Sequence, residues 1–129
     1  MTPAAKRNLK EAQTQDLLRH ERYAKLLVGP GGTFGPGAHR QYLAEMRAKS
    51  VPGYTVQDLQ DANKAMRDGY REMQEAHRGG NLMPSPTAPV NREEYRIGMG
   101  KFLSGEQDYR SVVRAIKGER EGVPSARSR

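Results

Sequence analysis

Chemistry needs side chains of suitable types within reach of one another, and the histidines are the first to test. His20, His39 and His77 fall in three separate segments, and none is followed three or four residues later by a second histidine or a carboxylate. No histidine is therefore followed by a chelating partner on its helix face. His20 lies three residues from Leu17 on an apolar stripe, and His77 falls at a seam position of the central helix described below, so boundary packing is their expected role. Two carboxylate pairs, Glu93-Glu94 and Glu72-x-x-Glu75, have the spacing of an acid and a base. The first lies where a helix N-terminus attracts anions, and the second lies on the exposed face of the central helix. Ser104 and Ser111 have no base nearby. Gly98-Met99-Gly100-Lys101 fails as a phosphate loop, because Phe102 stands where a hydroxyl residue is needed and Tyr95 where the leading glycine is needed. The expectation is a protein without enzymatic activity, cofactor or metal.

Two further patterns concern phosphate. Residues 29–37 read Gly-Pro-Gly-Gly-Thr-Phe-Gly-Pro-Gly, but a phosphate cradle follows a strand, and helix is expected here. A linker is the expectation, with Phe34 anchoring it in an apolar notch. Tyr-Arg occurs at Tyr70-Arg71, Tyr95-Arg96 and Tyr109-Arg110, with Arg22-Tyr23 reversed, and such pairs can stack on bases and bind phosphates. Each tyrosine also falls on or beside the apolar stripe of its helix. The expected arrangement is a half-buried ring with the arginine beside it in solvent.

The elements that must position these groups all read as helix. Residues 3–28 contain no breaker after Pro3; the first half is polar nearly all round, while Leu17, Leu18, Ala24, Leu27 and Val28 make the second half amphipathic. A short helix over 38–49 carries Tyr42, Leu43 and Met46 on one face. Residues 55–78 form the central helix, with a capping box at Thr55 and Asp58 and a heptad-like seam of Val56, Leu59, Asn63, Met66, Tyr70, Met73 and His77. Beside the seam, Ala62, Gly69 and Ala76 recur every seven residues and leave one flank bare for a close partner helix. Glycine in mid-helix costs about 1 kcal/mol relative to alanine, so Gly69 points to close backbone approach.

Three prolines in residues 81–90 suggest an extended strap. Asn91 caps a helix over 92–104, Gly105 ends it, and a second helix over 107–117 carries Tyr109, Val112, Val113 and Ile116 at i, i+3, i+4 and i+7. The class is all-α, with short helices joined by Gly/Pro-rich straps, one long central helix, extended basic termini and no sheet. The divisions are an N-terminal helix or arm with its linker (1–37), a short helix plus the central one (38–80), the strap (81–90), a C-terminal helix pair (91–118) and a basic tail (119–129).

Composition turns this layout towards interaction. Among 129 residues only 35% are hydrophobic and 29% are charged, with 14 Gly and 8 Pro, which predicts a core too thin to stand alone. The net charge of +7 favours acidic partners. Residues 1–28 carry six basic and three acidic groups, whereas 55–78 carry four and five. The chain has no cysteine, no apolar leader and no run long enough to span a membrane, so an intracellular or virion-associated protein is expected. This make-up resembles that of small accessory proteins of virions and ribosomes. The expectation is a multi-copy structural component, foremost a minor virion protein of head, portal or tail. It would dock on protein through its C-terminal helices and through Val56, Leu59, Ala62, Met66, Gly69, Tyr70 and Met73. Lys6, Arg7, Lys10, Arg127 and Arg129 would lie near nucleic acid or another acidic surface, without reading sequence. The alternative is a free-standing nucleic-acid-binding protein, whose recognition surface would be the Tyr-Arg positions, or a ribosome-associated protein.

Overall fold

The computed structural model describes residues 2–78 and 91–118, which form four helices and contain no strand: α1 (Pro3–Val28), α2 (Pro36–Ala48), α3 (Val56–Arg78) and α4 (Arg92–Ile116). The all-α expectation holds. No helix among the described residues is long and apolar enough to cross a membrane. The strap and the basic tail, with Arg127 and Arg129, lie outside the described residues.

The centre is an antiparallel pair of α3 and α4. Thr55 and Asp58 close the expected capping box, the Thr55 amide donating to the Asp58 carboxylate at 2.8 Å and the Asp58 amide to the Thr55 hydroxyl at 3.2 Å. Asn91 caps α4 by accepting from the Glu94 amide at 3.0 Å. Along α3 the side chains that meet α4 are Leu59, Met66 and Met73, one heptad apart, alternating with Ala62, Gly69 and Ala76. Along α4 they are Tyr95, Phe102, Tyr109 and Ile116, again one heptad apart, alternating with Gly98, Gly105 and Val112. Small residues face one another across the seam, Gly69 opposite Gly98 and Gly105 opposite Ala62 and Ala65. The backbones approach so closely that a Cβ on Gly105 would lie 2.8 Å from the Met66 amide nitrogen.

Three expectations are corrected here. The small-residue flank is the middle of the seam, and the partner helix it admits belongs to the same chain. Leu59, Ala62, Met66, Gly69 and Met73 are therefore core rather than a surface for another protein, while Val56 and Tyr70 are half-buried beside it. Secondly, the C-terminal helix pair is one helix of 25 residues, running straight through Gly105. That glycine is buried against Ala62, Ala65 and Met66, so it serves close packing and stops nothing. Thirdly, the central helix is long as expected but is not alone in being so, since α1 has 26 residues and α4 has 25 against its 23.

Helices α1 and α2 lie in succession along α4, both running in its direction. The Tyr95 hydroxyl donates to the Leu17 carbonyl, and Tyr23 meets Phe102 with ring centroids 6.0 Å apart. Further on, Tyr42 of α2 meets Tyr109, and the Lys49 ammonium donates to the Ile116 carbonyl at 2.6 Å. The linker between α1 and α2 is folded back on the last turn of α1, the Phe34 amide donating to the Leu27 carbonyl at 2.8 Å. Phe34 is buried as expected, 4.7 Å from the Tyr109 ring. Leu17, Ala24, Leu27, Val28, Phe34, Met46 and Val51 thus extend the α3–α4 seam into one interior. Spacing at heptad intervals gathers the modest apolar fraction into one contiguous interior, more than the thin core expected from composition, while Leu9, Leu26, Ile97 and Leu103 remain exposed.

Candidate functional site

Residues 3–9 of α1 are exposed throughout, and among the described side chains of the helix the first to be buried is Leu17. Thr2 caps the helix by accepting from the Ala5 amide at 3.0 Å, and Pro3 fits the first turn because it has no amide to satisfy. Local propensity therefore holds this half, without tertiary support. Lys6 and Arg7 stand on it in solvent; the side chain of Lys10 lies outside the described residues.

The second candidate surface is the outward side of α3. Over its whole length this helix is slightly acidic, yet its charges segregate by face. Gln60, Lys64, Arg67, Arg71 and Gln74 follow one another at steps of three and four, and Asp58, Asp61, Asp68, Glu72 and Glu75 form the neighbouring stripe. Between the cationic stripe and the end of α1 runs a groove of about 400 Å³ lined by Val28, Asn63, Lys64, Arg67, Asp68, Tyr70 and Arg71. Lys64 and Arg71 donate to the two oxygens of Asp68 at 2.6 and 2.5 Å, and the Lys64 bond holds that carboxyl below its ordinary range. Arg67 is exposed and pairs with no carboxylate among the described residues. On the acidic side, Lys101 of α4 donates to Glu72 at 2.8 Å and ties the hairpin's edge.

The third arrangement is a polar and aromatic knot where α1, the Phe34 linker, α2 and α4 meet. Glu106 is only 8% exposed; one of its oxygens accepts from the Tyr23 hydroxyl and, at 2.9 Å, from Arg110 Nε. The Arg110 guanidinium also lies 5.0 Å from the centroid of the Phe34 ring, a cation–π distance. Burial first, and then the bond to Glu106, raises the Tyr23 hydroxyl above its ordinary pKa. His39 Nδ1 lies 2.8 Å from the Tyr109 hydroxyl. Burial, with a smaller contribution from the positive charge of Arg67, lowers the pKa of His39. The knot fastens four segments together, every polar member facing another member.

The remaining sequence candidates fall in separate places. His20 is half-buried on α1, and the side chain of His77 lies outside the described residues. Glu93 and Glu94 occupy the first turn of α4, and Ser111 donates to the Gln107 carbonyl at 3.1 Å. Tyr95 and Tyr109 have no exposed surface and Tyr70 is half-buried, whereas Tyr23 is 38% exposed with its hydroxyl donating to Glu106. Sequence reasoning missed Glu106 and its pairing with Arg110, although their i, i+4 spacing is a pairing signal, and it missed the cationic stripe, which shows in the charge of a face and not in that of a segment. Comparison with family models, curated proteins and solved structures finds no match to this chain.

Proposed function

We propose that this chain is a non-enzymatic structural component of a larger assembly, in which the helical body is a rigid plug and the exposed half of α1 is the arm that docks. The observation that carries the reading is that arm: residues 3–9 form helix with no tertiary burial, and they present Lys6 and Arg7. An isolated polar helix of this length is marginal in water, and a partner that covers it would supply the missing stabilisation. The partner expected there is protein, with an acidic surface or nucleic acid close to the cations. By analogy of composition, a virion head, portal or tail is the first setting to examine, with several copies per particle.

The seam of α3 and α4 is occupied, so docking falls to α1 and to the outer faces of α2 and α4. The test is sedimentation of cell extracts containing the chain at native level. The intact protein should run in particle-sized fractions, and deletion of residues 2–13 should move it to the top of the gradient while leaving its thermal unfolding unchanged. An intact chain found only at monomer size would overturn the reading.

A second reading, a free-standing nucleic-acid-binding protein, is supported by the contiguous interior, since a body with its own core has less need of a scaffold. With Tyr95 and Tyr109 buried, contact would be to phosphates and not to bases.

A further inference from the structure

The groove beside Arg67 has no part in the docking of the arm, and its chemistry is of a different kind. We propose that it binds the sugar–phosphate backbone of nucleic acid, with Lys64, Arg67 and Arg71 as the phosphate contacts. Three cations and one carboxylate line it. The three cations are spaced along α3 by one turn each and cover about 10 Å of helix axis at 1.5 Å per residue. Over that length one nucleic-acid strand presents about three charges, at roughly 3.4 Å each. The number of cations matches the number of phosphates they would face.

The individual residues suit such an occupant. Arg67 offers a guanidinium fork not committed to a carboxylate, and that group matches phosphate oxygens in pairs. Lys64 and Arg71 are already oriented by Asp68, so they are held one on each side of it at the mouth of the groove. Both side chains are largely exposed, at 75% and 65%, and an incoming phosphate can share their donors. Asn63 and Val28, both nine-tenths buried, form the floor of the groove. A groove that follows a helix face admits a polymer running past it, where a closed pocket would admit a single small anion. The overall charge of +7 would steer such a polymer towards the protein.

The test uses the full chain and a short labelled DNA duplex of mixed sequence, with affinity measured by anisotropy across a salt series. Each phosphate contact contributes about 0.9 to the slope of log affinity against log salt. Arg67→Gln should lower the slope by that amount, so that the loss of affinity between about 50 and about 200 mM salt becomes about 3.5-fold smaller than in the parent. Asp68→Asn should tighten binding, because it removes the one negative charge of the groove. Both sites lie outside the core, so unchanged circular dichroism and thermal unfolding will show that the fold is intact. An unaltered slope in Arg67→Gln would overturn the proposal. So would competition by polyglutamate as effective, charge for charge, as competition by unlabelled DNA, which would assign the groove to an acidic protein. Deletion of residues 2–13 separates this result from the docking of the arm: the deletion should leave the Arg67 increment of the slope in place.

Discussion

Gly69 and Gly98 face each other across the α3–α4 seam, and the relationship is reciprocal. A Cβ on Gly69 would lie 2.5 Å from the Gly98 carbonyl oxygen, and a Cβ on Gly98 would lie 2.9 Å from the Gly69 carbonyl oxygen. The obstruction is backbone in both directions, so no rotamer change relieves it. Gly69→Ala should therefore destabilise by about 3 kcal/mol, at the upper end of overpacking costs, and Gly69→Leu should prevent the hairpin from closing. Gly100 is the contrast: a Cβ there meets nothing within 4 Å, and nothing in the structure explains the glycine. Gly100→Ala should stabilise by about 1 kcal/mol through helix propensity. Urea unfolding of the variants checks both; equal effects at Gly69 and Gly100 would remove close approach as the reason for the seam glycines.

Glu106 holds Tyr23 and Arg110 together, so its removal should cost more than the removal of either partner. Glu106→Ala leaves two donors around a mostly buried site and should cost about 1–3 kcal/mol. Tyr23→Phe, which takes away one donor of a partly exposed pair, should cost about 1 kcal/mol or less. A double-mutant cycle between the two positions should show coupling; additive effects would mean that the knot is three independent contacts.

Stability should fall on mild acidification because of His39. Its folded pKa lies below the ordinary value of 6.5, chiefly through burial and then through Arg67. The unfolded chain therefore takes up the proton first, and protonation favours unfolding. The contribution is fully present above about pH 6.5 and is lost as pH falls from there towards the folded pKa. Thermal unfolding of the parent and of His39→Gln compared across this window checks the effect, and the variant should lack that part of the slope. Arg67→Gln should bring the imidazole titration, followed by NMR, closer to its ordinary midpoint.

Two buried phenols set the alkaline limit. Tyr95 and Tyr109 are both raised well above the ordinary tyrosine value, first by burial and then by Glu21 for Tyr95 and by Tyr42 for Tyr109. Being acids with raised folded pKa values, they support the fold fully below about pH 10, and that support is lost as pH rises beyond it, because the unfolded chain ionises first. Ultraviolet titration should show two of the six tyrosines ionising only as the helices melt. Six tyrosines titrating in one step below the unfolding transition would contradict the buried geometry.

Much of the fold was legible because the helical period leaves a plain record. Thr55 with Asp58 and Asn91 with Glu94 announced two helix starts, and Leu17, Ala24, Leu27 and Val28 announced the buried side of α1. Legibility failed where one residue type serves two physical ends. Gly105 reads as a stop by propensity, yet it is a point of contact in the structure; only the matching Ala62 and Ala65 on another helix distinguish the two, and a local reading does not pair them. The same ambiguity put the Ala62, Gly69 and Ala76 row at the edge of the seam instead of at its middle. Of the candidate surfaces, Lys6 and Arg7 were visible as an uninterrupted polar stretch. The Arg67 groove was not, since Val28 reaches it only through the tertiary placement of α1.

At the mouth of the hairpin, the Asn91 amide donates to the Ala76 carbonyl at 3.0 Å. The last turn of α3 and the residue that opens α4 are thus clasped through main chain alone, with no side chain called upon. A substitution at either position should leave that clasp in place, except for proline at residue 91, which has no amide to give.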